Sequence, residues 1–437
     1  MKKFLALALV FVMLFAFAAC GTNNDSKDET KAADDATAAD TAADTAADTA
    51  AESAADTTAD TEASAEGKAY ADIKVGFIYL HDANSTYDRN FMEAAKATCE
   101  KLGVQYMEKV GIPEGAECYE SAVELAEAGC DIVFADSFGH EEYMIQAAKK
   151  YPNVQFCHAT GTKAHTENLA NYQNAFAAIY EGRYLAGIAA GMKLNEMIEN
   201  GEFKAEEAKI GYVGAFPYAE VVSGYTSFFL GARSVCPTAT MEVQYTSSWY
   251  DEATEKSTAE TLIQRGCKLI SQHADSMGAP TACEDAGVPD VSYNGSTVEA
   301  CPNTFIVSSR IDWSPYFEYI INCVKDGKDI DADWTGTIAT GSVVLTEVNE
   351  KAAAEGTVEA IEAAKAKFEA GELDVFATDT FKVNGEEVTT YLADVDDMGD
   401  FVGETEVIED GAFKESKYRS APYFDLRIDG ITELNND

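Results

Sequence analysis

The sequence predicts an α/β protein made of two lobes, each a doubly wound parallel sheet, joined by a multi-strand hinge. Two observations indicate this fold class. Apolar runs of strand length alternate with helical patterns of about 10 to 15 residues, which is typical of right-handed βαβ units. This alternation also begins twice with similar residues, Lys74-Val75-Gly76-Phe77 and Lys209-Ile210-Gly211-Tyr212. A chain of 437 residues is long enough for at least two globular units.

The first lobe is predicted over residues 73–174, together with 305–330. It opens with an apolar run at 75–80 that fits a strand buried on both faces and ends abruptly in a polar loop. Because ligands of open α/β sheets bind beyond the carboxyl ends of the strands, we expect residues 81–90 to line a binding site. The pattern further predicts helices at 88–102, 117–128 and 141–150, and strands at 104–108, 131–136, 154–160 and 169–173.

The second lobe is predicted over residues 175–304, together with 331–375. An apolar segment at 176–197 contains Tyr180, Glu181, Arg183 and Lys193, which favour a closely packed helix over a membrane span. Later patterns in this lobe predict strands at 210–216, 243–248, 269–275, 291–294 and 341–348, and helices at 219–235, 251–265, 279–286 and 351–369. A strand at 306–311 and a helix at 315–324 are predicted in the part assigned to the first lobe. Residues 376–437 form a C-terminal extension in which Asn384-Gly385 indicates a hairpin turn.

The N-terminus is predicted to be an export signal followed by a tether. Residues 1–20 combine Lys2 and Lys3 with an apolar run, and 17–20 (Phe-Ala-Ala-Cys) resembles a bacterial lipoprotein box that would be lipidated at Cys20. A membrane anchor that is never cleaved is the alternative. Residues 21–72 contain 14 Asp or Glu and 3 Lys in an Ala-rich repeat without an apolar stripe, so we expect a disordered acidic tether.

Charge and cysteine content exclude several classes of function. The net charge of −44 argues against a nucleic-acid partner, because phosphate binding requires clustered Lys and Arg. Ten cysteines, of which nine remain once Cys20 is lipidated, are scattered without a Cys-x-x-Cys pair. Neither a zinc site nor a regular disulfide framework is indicated, and we predict no metal or cofactor.

Catalysis would require a nucleophile, a base or a metal site. Of the five histidines, His81 and His273 fall at predicted strand ends, where they could pair with Asp82 or Asp275 as acid and base. The sequence has no Gly-rich phosphate loop, Gly-x-Ser-x-Gly elbow or His-Glu-x-x-His motif. We therefore favour polar contacts over catalysis for these histidines.

The predicted strand ends gather aromatic rings, carboxylates and amides. Rings stack on a planar heterocycle while Asp and Asn hydrogen-bond to its edge, so this mixture suits such a ligand. Phe91 and Phe216 suit the core equally well, and Asp88 suits the N-cap of the first helix. The candidate ligand-binding residues are Tyr79, His81, Asp82, Tyr87, Asp88, Phe91, Ser137, Phe138, Phe216, Trp249, His273, Asp275, Asn294, Arg310 and Trp313.

From about residue 73 to 348 the chain resembles the BMP family of substrate-binding lipoproteins, which have the type I periplasmic-binding-protein fold and serve ABC transporters. The motifs that carry the resemblance are Tyr87-Asp88-Arg89-Asn90-Phe91, Leu185-Ala186-Gly187, Lys209-Ile210-Gly211-Tyr212-Val213-Gly214, Ser248-Trp249-Tyr250-Asp251, Gln272-His273-Ala274-Asp275-Ser276, Tyr293-Asn294 and Trp313-Ser314-Pro315-Tyr316. The resemblance implies a purine held between Phe91 or Tyr87 and Trp249 or Trp313. Nucleoside-binding members carry an Asp in place of Asn294 and a Lys near Ile311; their absence favours a free, adenine-like base, with Arg310 as a substitute for the Lys.

The resemblance implies a monomeric, lipid-anchored protein on the outer face of the cell membrane. It would capture a purine base or nucleoside by closing its two lobes and would deliver the ligand to an ABC permease, without making or breaking a bond. Two alternatives stay open at this point. One is a surface receptor that senses the ligand without transport, and the other is a nucleosidase-type hydrolase that uses Asp82 or Asp275.

Overall fold

The structure is a computed structural model that describes residues 67–396 and 402–435. The predicted signal peptide, Cys20 and the tether up to residue 66 lie outside the described residues. The last part of the predicted tether is ordered, which corrects its boundary. Tyr70–Asp72 form a short 3-10 helix, and the Tyr70 hydroxyl donates to Asn322 Oδ1 over 2.6 Å. An aromatic ring gives this stretch a packing surface that the Ala-Asp-Thr repeats lack.

Strands and helices alternate through the described chain much as the sequence predicts. The strands are β1 Lys74–Tyr79, β2 Gln105–Val110, β3 Ile132–Ala135, β4 Gln155–Ala159, β5 Tyr172–Ala177, β6 Lys209–Gly214, β7 Thr240–Tyr245, β8 Leu269–His273, β9 Asp290–Tyr293, β10 Phe305–Ile311, β11 Asp333–Gly336, β12 Val343–Leu345, β13 Leu392–Ala393, β14 Thr405–Glu406, β15 Ile408–Glu409, β16 Ala412–Phe413 and β17 Ile431–Glu433. The helices are α1 Thr86–Leu102, α2 Ala116–Glu127, α3 Glu141–Lys150, α4 Ala164–Glu167, α5 Ile179–Glu199, α6 Ala219–Val235, α7 Glu252–Gln264, α8 Gly278–Ala286, α9 Ser314–Asp326 and α10 Thr357–Glu369.

The strands form two large sheets, one in each lobe. The first sheet has the order β11-β5-β4-β3-β1-β2 and is parallel throughout. The second has the order β12-β10-β9-β8-β6-β7-β17, in which only β12 runs antiparallel. The predicted α/β fold class of two doubly wound parallel-sheet lobes is confirmed.

Helices cover both faces of each sheet because successive strand residues point to opposite sides. In β1, Phe77 belongs to the core shared with α1 and α9, whereas Ile78 belongs to the core beneath α2 and α3. In the second lobe, α5 and α6 cover one face and α7 and α8 the other. The segment predicted as a closely packed helix is α5, and a Cβ at its Gly187 would lie 2.0 Å from the carbonyl oxygen of Phe228.

Two strands lie in the opposite lobe from the one that the sequence predicted. Residues 305–330 were placed in the first lobe, but β10 pairs with β9 in the second sheet, and only α9 packs in the first. Residues 331–375 were placed in the second lobe, but β11 pairs with β5 in the first sheet. An apolar run predicts that a strand is buried but does not indicate which strand it pairs with. The sequence pattern therefore could not assign β10 and β11 to their sheets. Before residue 376 the chain crosses between the lobes after β5, β10 and β11.

Helix α10 begins at Thr357, later than the predicted residue 351. Gly356 lies directly before it with φ of 81°, a left-handed conformation that cannot continue into an upstream α-helix. Among the described residues, none of the helices has the length and apolar composition that a membrane span requires.

The C-terminal extension packs onto the body of the protein. The predicted hairpin turn is confirmed, since Asn384 and Gly385 both have positive φ and the flanking Val383 and Glu386 pair in antiparallel fashion. Phe376 of the extension contacts Tyr180 of α5 with ring centroids 5.3 Å apart. Strand β17 then joins β7 at the edge of the second sheet.

Candidate functional site

A cavity lies where the carboxyl ends of the two sheets face each other. This is the position at which open α/β folds bind ligands. The first lobe contributes Leu80, His81, Tyr87, Asp88, Ser137, Phe138 and Thr160 to the lining, and the second lobe contributes Glu220, Trp249, His273, Asp275 and Tyr293.

Asp88 presents a fixed carboxylate from the first turn of α1. The N-cap of this helix is Ser85, so Asp88 is not the cap residue. Its carboxylate accepts hydrogen bonds from the Ser85 hydroxyl at 2.6 Å and from the backbone amide of His81 at 2.8 Å. Burial alone would raise the pKa of Asp88, but the hydrogen bonds from His81 and Ser85 outweigh it and hold the pKa below its ordinary value.

Asp136, which the sequence analysis did not single out, lies buried beneath the first-lobe side of the cavity. Its Oδ1 accepts from the backbone amide of Leu80 at 3.1 Å, and its carbonyl oxygen accepts from the Tyr87 hydroxyl at 2.8 Å. Burial and the charge of Asp88 raise the pKa of Asp136 well above its ordinary value. Asp136 therefore supports the first loop from beneath, through its side chain and its carbonyl oxygen.

Asp275 is the corresponding carboxylate of the second lobe, in the loop after β8. Its Oδ1 accepts from the Asn294 side-chain amide at 3.1 Å, which fixes the orientation of the carboxylate. Burial, and after it the charge of Asp88, raise the pKa of Asp275 well above its ordinary value. The two carboxylates are thus close enough to influence one another across the cleft.

His273 and Glu220 form a polar pair on the same side. His273 Nε2 lies 3.4 Å from Glu220 Oε1, and its Nδ1 lies 3.2 Å from the hydroxyl of Tyr212. Burial lowers the pKa of His273, so the ring is neutral near pH 7. A neutral imidazole next to a carboxylate keeps this wall of the cavity electronegative.

Aromatic rings close the cavity toward solvent. Phe138 of the first lobe meets Tyr218 of the second with ring centroids 5.6 Å apart, and these two side chains are 39% and 44% exposed. Phe216 stacks on Tyr218 at 5.1 Å and contacts Trp249 edge-on at 5.0 Å. Such exposed rings at a cleft are typical of ligand contact.

The structure brings eight of the fifteen predicted residues to the cavity lining: His81, Tyr87, Asp88, Ser137, Phe138, Trp249, His273 and Asp275. Two others support lining residues, because Phe216 packs on Trp249 and Asn294 bonds Asp275. Arg310 donates to Asn90 Oδ1 at 3.4 Å instead of reaching the cavity.

The other three predicted aromatic residues belong to the first-lobe core. Phe91 and Trp313 are buried and stack on each other at 4.3 Å, because both occupy the inner faces of their elements. Tyr79 is likewise buried, within β1. Asp82 lies on an exposed stretch of the first loop, where it accepts from the backbone amide of Asn84.

Four lining residues were not among those predicted from the sequence: Leu80, Thr160, Glu220 and Tyr293. Glu220 had a usable signal: it lies in the first turn of the helix after β6, as Asp88 lies in the first turn of the helix after β1. The repeated strand-to-helix pattern would have placed both carboxylates in a first helical turn that faces the cleft.

The electrostatics of the cavity restrict its ligand. Asp88, Glu220 and Asp275 contribute three carboxylates, and among the described residues of the lining none is a lysine or an arginine. A phosphate group would be repelled here, whereas a neutral or cationic ligand rich in N–H donors would be attracted. Among the described residues, the carboxylates close enough to share a cation, Asp394, Asp396 and Glu404, belong to the extension and not to this lining.

Two hinged lobes around an enclosed, polar and aromatic cavity define a substrate-binding protein of the type I periplasmic fold. The model for the Bmp family, described as ABC transporter substrate-binding protein PnrA-like, matches residues 74–375. The chain belongs to this family, which confirms the resemblance seen in the sequence.

Three relatives illustrate what the chain is similar to. A purine-binding protein of Brucella abortus is 34% identical over 60% of this chain and 72% of its own length. A putative glucose-binding protein of an ABC transporter from Haloferax volcanii is 32% identical over 72% and 73%, respectively. The nucleoside-binding protein BmpA of an ABC transporter from Lactococcus lactis is 25% identical over 65% and 76%.

Solved structures agree on the fold. An ABC transporter solute-binding protein from Aeropyrum pernix superposes with a TM-score of 0.59 at 17% identity, covering 72% of this chain and 94% of that one. Because the family consists of substrate-binding proteins, this protein binds a small molecule for an ABC transporter and is not an enzyme, which removes the hydrolase alternative. A membrane permease is the partner that this role implies, and proteins of this family act outside the cytoplasm.

Proposed function

We propose that the protein captures a purine base or nucleoside, with an adenine-like ring preferred, for an ABC importer. The observation that supports the proposal is the composition of the lining. The aromatic rings of Tyr87, Phe138 and Trp249 lie beside carboxylates, and no lysine or arginine is present among the described lining residues. A purine stacks on aromatic side chains through its faces and donates N–H groups from its edges. Relatives named as purine-binding and nucleoside-binding proteins support this assignment.

Asp88 and Asp275 are the proposed acceptors for those N–H groups. Each carboxylate is held in place by neighbours before the ligand arrives, Asp88 by Ser85 and His81, and Asp275 by Asn294. An aminopurine carries donors on more than one edge, so one ligand can bridge a carboxylate of each lobe. That bridge favours the closed arrangement of the lobes, which then docks on the permease.

The proposal includes a location. Lipidation at Cys20 would hold a monomeric protein at the outer face of the cell membrane, with residues 21–66 as the spacer. The sequence of residues 1–20 supports this part of the proposal.

A thermal-shift screen tests the ligand class. The protein is unfolded and refolded to remove carried ligand, then melted with adenine, adenosine, guanine, ribose and glucose. A ligand present at a hundred times its dissociation constant should add about 2.7 kcal/mol to the free energy of unfolding. We expect purines to raise the melting temperature and ribose to leave it unchanged. A shift with glucose alone would contradict the proposal and favour the hexose ligand that the name of the Haloferax relative suggests.

A further inference from the structure

The C-terminal part of the chain spans the mouth of the cleft. We call residues 412–435 the C-terminal strap. They lie beyond residue 375, where the match to the family model ends. Residues 421–427 of the strap form one wall of a second cavity of about 590 Å³, whose other walls come from both lobes. We call this cavity the outer chamber.

The strap is fixed to both lobes, so its wall has a defined position. In the first lobe, the backbone amide and the hydroxyl of Ser420 donate to Asp333 Oδ1 at 2.7 Å and 2.6 Å. In the second lobe, β17 pairs with β7, and the Asn435 side chain bonds both the amide and the carbonyl oxygen of Tyr245 at 2.9 Å. Residues between these two attachments are held across the cleft.

The outer chamber adjoins the ligand cavity. Phe138, Thr160, Glu220 and Trp249 line both spaces. A substituent that extends from the inner cavity on the side of these four residues would point toward the chamber. The strap residues that such a substituent would reach include Asp425 and Arg427, both exposed.

The chemistry of the two spaces differs. The inner cavity offers mainly acceptors and aromatic faces, whereas the chamber combines the Lys163 ammonium and the Arg427 guanidinium with the Asp425 carboxylate and the Thr162 hydroxyl. The half-exposed ring of Tyr218 completes the lining. A hydroxyl group both donates and accepts, so a lining with both kinds of partner suits a group that carries several hydroxyls.

We propose that the outer chamber is a second ligand subsite, built in part by the strap, which binds a hydroxyl-rich substituent such as a sugar on the ligand whose planar part occupies the inner cavity. The inference rests on the proposed function and extends it. Asn294 and the position near Ile311 lack the sugar-binding residues expected from the sequence resemblance. The strap supplies polar groups from a different direction, and Arg427 and Tyr218 become specificity-determining residues.

Calorimetric titrations with adenine and adenosine test this inference. The wild-type protein should bind adenosine about tenfold more tightly than adenine, as expected for one or two added hydrogen bonds, at least one of them to a charged group. Arg427→Ala and Tyr218→Ala should each bring the ratio of the two affinities toward one. Arg265→Ala is the matched control, because Arg265 is an exposed arginine paired with Glu242, as Arg427 is paired with Glu433. This control should keep the wild-type ratio.

The outcomes separate the two proposals. If the protein bound adenine and adenosine with equal affinity, the subsite would be overturned and the proposed function would stand. Equal weakening of both ligands by Arg427→Ala, in protein that melts like the wild type, would also overturn the subsite, since the strap would then act only on closure. Failure of both ligands to bind would contradict the proposed function, and the subsite would fall with it.

Discussion

The backbone amide of Thr86, in the first lobe, donates a hydrogen bond of 3.1 Å to the carbonyl oxygen of Asp275, in the second. The Thr86 hydroxyl donates to the same oxygen at 3.2 Å, and the Asn90 side chain donates to the carbonyl oxygen of Asn294 at 2.9 Å. All three bonds join the start of α1 to the loops that orient the Asp275 carboxylate. Closure of the lobes and formation of the ligand site therefore depend on the same residues.

Removing the Thr86 hydroxyl should weaken ligand binding through closure alone. Thr86→Val keeps the shape and the backbone bond but deletes one bond between the lobes, so affinity should fall about threefold to tenfold. Thr98→Val is the control, because Thr98 is buried in the same helix and its hydroxyl has no hydrogen-bond partner within the described part of the chain. Calorimetry on both variants checks the prediction, and equal affinities for the two would contradict it.

Replacing the Asp275 carboxylate should cost affinity without costing stability. Asp275→Asn replaces one carboxyl oxygen by an amide N–H that cannot accept a hydrogen bond, and we expect binding of the purine to weaken by roughly 10-fold to 100-fold. Burial disfavours the ionised carboxyl in the folded protein, so the melting temperature of the free variant should equal or exceed that of the wild type. Asp285→Asn, at an exposed aspartate paired with Lys256, provides the comparison. If Asp275→Asn bound the purine as tightly as the wild type, Asp275 would not be part of the ligand site.

Ligand binding should change the fluorescence of one tryptophan. Trp249 lines the cavity, whereas Trp313 is buried in the first-lobe core and Trp334 lies in β11. A purine stacked near Trp249 should quench its emission, and Trp249→Phe should abolish most of the ligand-dependent change. Trp334→Phe should preserve that change. Quenching that persists in Trp249→Phe would place the ligand elsewhere.

The free protein should become more stable as the pH falls from 7.5 to 5.5. Burial raises the pKa of Glu415 to about 7 in the folded protein. In the unfolded chain the pKa of Glu415 is lower. At a pH between these two pKa values the folded protein keeps the proton on Glu415 and the unfolded chain has lost it. Lowering the pH therefore favours the folded state. Urea unfolding measures the gain in the free energy of unfolding between pH 7.5 and pH 5.5. In Glu415→Gln this gain should be roughly 2 kcal/mol smaller than in the wild type. Glu372→Gln, at an exposed glutamate, should leave the pH-dependent gain in stability unchanged. If Glu372→Gln reduced this gain as much as Glu415→Gln does, the burial of Glu415 would not be its cause.

Local patterns in the sequence were sufficient for the two-lobed fold class and for much of the cavity lining, but not for the lobes to which β10 and β11 belong. Residues in the loops that follow buried strands, such as His81, Ser137 and Trp249, were predicted because strand ends in parallel sheets converge. Phe91 and Trp313 resisted the same reasoning, since an aromatic residue on a helix suits the core and the cleft equally well. The strap has strands of only two and three residues and scattered apolar residues, so its attachments through Ser420 and Asn435 depend on long-range contacts that no local periodicity records.

The central claim is that a purine binds between the two lobes at Asp88 and Asp275. Isothermal titration of the ligand-free protein with adenine and with glucose tests it most directly, with Asp275→Asn measured alongside. We predict saturable binding of adenine at one site, strongly weakened in the variant, and no measurable heat with glucose. Heat with glucose and none with adenine would contradict this assignment of the ligand.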